Sequence, residues 1–179
     1  MLSRRRTMAG INLLGGLAVL GSYAYCLTAY SAQAGDFWGG VPDGLRSLYT
    51  VNMGLAAAGY FAFTYFLMYR LKPTVGAGGR FGFGTFNALY ALILLPSALW
   101  MPLTFAMLES PSGGLWWVIR LTLVAVGIGS LGLLAGLVAV RPRSPSVAHK
   151  LAVAGSLAFC SQTAILDALV WPAYFSVQG

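Results

Sequence analysis

Five stretches of the chain are almost continuously apolar, roughly residues 9–31, 48–69, 83–108, 115–140 and 151–175. Each reaches the ~20 residues that a helix needs to cross the hydrocarbon core of a bilayer. The alternating ~10-residue segments of a transmembrane β-barrel do not occur. The pattern predicts an all-α fold, a polytopic transmembrane helical bundle of five spans. Short breaks between the runs leave room for one domain, residues 1–179, with membrane lipids as its surroundings.

The polar residues inside these runs recur at helical spacing. In the fifth run Ser156, Cys160, Thr163, Asp167, Trp171 and Tyr174 follow one another at intervals of three and four, so they share a face. Asn87, Tyr90, Ser97 and Thr104 repeat this in the third run, and Asn12, Gly16, Tyr23, Cys26 and Tyr30 in the first. Lipid offers no hydrogen bonds, so these faces are expected to point into the bundle.

Composition supports the same class. The 179 residues are 58% hydrophobic and only 8% charged, too few charges to cover a water-facing surface. The net charge of +7 becomes informative once it is placed. Arg4, Arg5, Arg6, Arg70, Lys72, Arg80, Arg141, Arg143 and Lys150 fall on one side of a five-span chain, while Asp36, Asp43, Glu109 and Asp167 lie in the opposite half with Arg46 and Arg120. Basic residues favour cytoplasmic loops, so the N-terminus is expected inside and the C-terminus outside. Clusters next to a membrane suit anionic headgroups. No nucleic-acid partner is implied.

The first run carries signals of another kind. "SRRRTM" matches a twin-arginine start and "SAQAGD" an A-x-A cleavage pattern. The apolar stretch between them exceeds the ~7–15 residues of a signal-peptide core, which favours a true span. Cys26 and Cys160 fall at different depths and are expected to be free, buried thiols. His149, beside Lys150 at the start of the last span, is expected to meet lipid headgroups. Phe37, Trp38, Tyr69, Trp116 and Trp117 are expected at the membrane interface.

Small residues mark helix contacts. Gly132 and Gly136, preceded by Ala125 and Gly129, carry the G-x-x-x-G spacing that lets backbones approach, and Gly15, Gly16, Gly21, Gly54 and Ala58 are further candidates. Contacts within the chain are favoured over a homodimer. Pro96 and Pro102 bracket Trp100, and each withholds an N–H from the preceding turn, which makes room or frees an acceptor.

Catalysis finds little support. There is no metal-ligand spacing, no H-E-x-x-H, no G-x-S-x-G and no histidine well inside a span to ligate haem, and no cofactor can be named. Asp167 is the notable group. Counted from the same side of the membrane, Arg120 lies roughly 8 Å deep and Asp167 roughly 12 Å, within reach of each other. A lone charge there costs at least ~2.5–3.5 kcal/mol, so an Arg120–Asp167 pair is expected.

Asn52, Trp100, Thr104, Trp171 and Tyr174 approach the same level. With Asp167 and Arg120 they form a candidate ligand-binding set of convergent polar groups among apolar walls. The leading expectation is a non-enzymatic, multi-pass membrane protein that binds a hydrophobic or amphipathic small molecule in an outer-half cavity. The alternatives are an accessory subunit that meets neighbouring membrane subunits, and a small transporter or proton-coupled carrier that uses Asp167. Five spans and an aromatic-rich chain are superficially similar to the tryptophan-rich sensory proteins. The stretch "DFWGGVPDGLRSLY" stands where that family carries its tryptophan- and proline-rich segment.

Overall fold

Apolar runs of this length have one way to satisfy their backbone without water, which is to coil. The computed structural model describes residues 2–71, 82–140 and 146–175, with side chains from residue 5 onward. Among these residues there is no strand. The main helices are α1 (Leu2–Ala29), α2 (Asp43–Tyr65), α3 (Phe83–Glu109), α4 (Gly113–Ala139) and α5 (Val147–Cys160). A π-turn, Phe66–Arg70, prolongs α2. A longer π-helix, Ser161–Val170, prolongs α5 and runs into the short α6 (Trp171–Tyr174). Counted with these extensions, five helices are long and apolar enough to cross a membrane.

The ends of the helices follow local chemistry. Ser112 and Ser146 cap α4 and α5, accepting the N–H of Leu115 and of His149 at 3.2 Å each. Asp43 stands in the first turn of α2, where its charge complements the helix dipole. The helix α1 begins at Leu2, well before the apolar run, because arginine is a good helix former.

In the bundle α1 packs on α3, α3 on α4, α4 on α5 and its π extension, and α5 on α2. A hydrogen bond from the Tyr60 hydroxyl to Asn12 Oδ1 ties α2 back to α1. Close approach needs small residues. A Cβ on Gly59 would stand 2.3 Å from the carbonyl oxygen of Gly155, so α2 and α5 cross backbone to backbone. Gly129 and Gly132 of α4 seat Ile93 and Leu89 of α3, and Gly15 seats Leu94. These are contacts within the chain. Gly16, Gly21 and Gly54 face open space instead.

The described charges separate by end. Arg5, which donates to Leu71 O at 2.8 Å and lies over the Phe83 ring, marks a basic end shared with Arg6, Arg70 and Lys150. Lys72, Arg80, Arg141 and Arg143, and the side chain of Arg4, lie outside the described residues. His149 is not a solvated headgroup contact. Its cap sets it in the first turn of α5, and the ring is buried against Phe66, with Nε2 2.9 Å from Leu137 O.

The opposite, acidic end carries Asp36, Asp43 and Glu109. There residues 31–42 fold back over the bundle through two 3-10 turns, Ser31–Gln33 and Asp36–Trp38. Gly39 takes a φ of 55°, which lets the chain reverse so that Gly40 N–H reaches Tyr174 O at 2.9 Å.

Candidate functional site

At this acidic end the last helix widens. The segment Ser161–Val170 is a π-helix, whose N–H groups reach five residues back, as Trp171 N–H does to Leu166 O. Pro172 follows at once and has no N–H to give to the preceding turn. A π-turn is usually a single bulge, and such bulges concentrate at functional sites. Here ten consecutive residues take the form.

The wide turn stacks residues five apart. Gln162 therefore lies over Asp167, and Gln162 Nε2 donates to Asp167 Oδ1 at 2.8 Å. Asn52 of α2 donates in turn to Gln162 Oε1 at 3.0 Å, and the Ser161 hydroxyl donates to Asn52 Oδ1 at 3.0 Å. This chain of side chains runs from Ser161 across α2 and back to the carboxyl group. Tyr49, fully buried on α2, donates to Leu166 O at 2.6 Å and so braces the π-helix from the same side.

Aromatic rings close the other side. Trp100 is the centre of the group, with Tyr23, Phe37 and Trp171 edge-on to it at centroid distances of 5.8, 6.4 and 5.8 Å. It joins two apolar clusters, one around Trp171, Tyr49 and Leu166 and one around Cys26, Met101 and Phe105. Trp171 stacks on Phe175, and its Nε1 donates to Phe37 O at 2.9 Å. The loop of residues 31–42 is thus strapped over the aromatic group by one side-chain and one backbone hydrogen bond. Trp100 Nε1 is buried and has no hydrogen-bond partner among the described residues.

The expected Arg120–Asp167 pair does not form. Among the described residues the ion pair is Arg46 with Asp43, at 3.6 Å. Arg120 lies over the ring of Trp116, 4.8 Å from its centroid, and 6.0 Å from that of Trp117, on its own helix. Residues three and four back on a helix are its nearest neighbours, and an indole face holds a guanidinium without a carboxylate. Asp167 takes Gln162 as its partner, and its Oδ2 accepts nothing from the described residues.

Of the expected set, the structure joins Asp167 to Asn52 through Gln162, and Trp100 to Trp171. Thr104 is buried one turn past Trp100, and its hydroxyl donates to Trp100 O at 2.8 Å, so it serves its own helix. Tyr174 lies at the strap and is 38% exposed, too open to line an enclosed site. Cys26 and Cys160 are free and buried. Gln162 and Ser161 join the hydrogen-bonded chain, Tyr23 and Phe37 join the aromatic group, and none of the four was in the expected set. Phe37 and Trp38 are half-buried and pack against Trp100 and Tyr49.

Compared with known proteins, the chain matches no family model, no curated protein and no solved structure.

Proposed function

We propose that this chain is a multi-pass, non-enzymatic membrane protein that binds a small apolar or amphipathic molecule at the acidic end of the bundle. Its N-terminus lies inside and its C-terminus outside, as the gathering of Arg5, Arg6, Arg70 and Lys150 at one end favours. The many exposed large apolar side chains, among them Leu14, Leu20, Phe61 and Leu121, suit a lipid surround. One observation carries the ligand reading. The carboxyl group of Asp167 sits at helix depth in a wide turn, held by an amide rather than a cation, beside an aromatic group with an unused indole N–H. A purely structural carboxyl at such depth is normally paired with a cation.

The test is thermal unfolding in lipid nanodiscs against a panel of apolar and amphipathic compounds, read together with tryptophan fluorescence. Binding raises the melting temperature by mass action, and Trp100 and Trp171 report it directly. A panel in which no compound moves either signal overturns the reading.

The hydrogen-bonded chain Ser161–Asn52–Gln162–Asp167 favours one second reading, a proton-coupled carrier, because intramembrane acids with polar relays serve proton pathways. That reading requires pH-dependent flux in proteoliposomes that Asp167→Asn abolishes.

A further inference from the structure

The chemistry around Asp167 also restricts what would bind there. Each described cation near the acidic end is already committed. Arg120 lies on Trp116, and Arg46 donates from Nε to Val41 O at 2.8 Å while facing Asp43. The carboxyl group keeps one oxygen, Oδ2, without a donor. The Tyr49 hydroxyl, on the neighbouring helix face, donates to Leu166 O and brings no positive charge.

Indole and phenol rings add a second, independent preference. Their faces carry negative potential and attract cations, most strongly for tryptophan, and aromatic cages recognise substituted ammonium groups in this way. Trp171 lies one turn beyond Asp167 on the same helix, Trp100 of α3 packs edge-on to Trp171, and Tyr23 of α1 packs edge-on to Trp100. A lone acid among such rings has the composition of a site for an organic cation. The Trp100 N–H offers a further place for a neutral oxygen acceptor on the same molecule.

Resting on the ligand-site reading above, we propose that the molecule bound here is an amphipathic organic cation. Its ammonium group meets Asp167 Oδ2, and its apolar body lies among the rings of Trp100, Trp171, Tyr23 and Phe37.

Three probes with one body and different heads test this: 4-phenylbutylamine, 4-phenylbutanol and 4-phenylbutyrate. Each is titrated into the intact protein in nanodiscs at neutral pH, with melting temperature and tryptophan quenching as readouts. The protonated amine is expected to bind more tightly than the alcohol, by about ten- to a hundred-fold, the range of a charge-assisted hydrogen bond. Asp167→Asn keeps an acceptor for Gln162, so the fold is expected to survive while the preference for the amine over the alcohol disappears. Should that variant not fold, the comparison of the three probes on the unmodified protein decides alone. If alcohol and amine bind equally, or the butyrate binds best, the cation assignment is overturned while the ligand site stands. If neither the three probes nor the wider panel binds, both are overturned.

Discussion

Gln162 donates to Asp167 across five residues of a single helix. On an α-helix, positions five apart point about 140° away from one another. The π-turn is what puts them on one face. Gln162→Leu removes the amide and leaves a carboxyl oxygen without its donor. The protein is expected to melt at a lower temperature than Asp167→Asn, which keeps the bond. A double-mutant cycle with Gln162→Leu and Asp167→Leu should give a coupling of about 0.6 kcal/mol and no more than about 1.7, the average and the maximum for side-chain hydrogen bonds inside a membrane protein. Additive effects in detergent unfolding would contradict the bond.

Arg120 and Asp167 supply the complementary expectation. They form no ion pair, so Arg120→Gln and Asp167→Asn should add to within about 0.3–0.5 kcal/mol. Arg120→Gln should instead couple to Trp116→Leu by about 0.5–2 kcal/mol, as expected for a cation over an indole face. The same unfolding series reads both cycles.

Glycines on opposite sides of α2 should respond oppositely to a methyl group. Gly59→Ala drives a Cβ into the backbone of Gly155, and a cost of about 1–3 kcal/mol is expected from overpacking. Gly54→Ala meets nothing within 4 Å, and the better helix propensity of alanine should stabilise by up to about 1 kcal/mol. If Gly59→Ala is neutral, the close crossing of α2 and α5 is wrong.

The strap over the aromatic group depends on Trp171. Trp171→Phe keeps a ring but loses the bond to Phe37 O, so residues 31–42 should be cut faster by added protease. The expected loss of stability is about 0.5–1.5 kcal/mol, one hydrogen bond. Unchanged cleavage would show that the loop is held by packing of Phe37 and Trp38 instead.

The five helices were legible because twenty-residue apolar runs have few alternatives. The inward faces of α3 and α5 were legible for the same reason, from spacing alone: Tyr90, Thr104, Ser156, Cys160 and Thr163 are all buried. The site was only half legible. Asp167, Trp100, Trp171 and Asn52 stood out as polar or aromatic groups at one level. Gln162 did not, since α-helical spacing sets it on another face from Asp167 and no local motif announces a π-helix. The pairing with Arg120 failed because depth fixes distance along the bundle axis and says nothing of direction around it. His149 had a readable signal in its serine cap three residues earlier, which fixes a first-turn position. Which way that position faces depends on α2 and α4.

The crossing of Gly59 and Gly155 has a mechanical consequence. Two helices that touch through their backbones leave no gap for a side chain or a lipid chain between them, so α2 and α5 are joined as one beam at this crossing. The π-helix is built on the end of that beam, and Tyr49 and Asn52 tie it down. Asp167 is therefore joined to the closely packed side of the bundle. The loop of residues 31–42, and α1, whose main packing partner is α3, lie on the far side, where a guest of the proposed kind would have to enter.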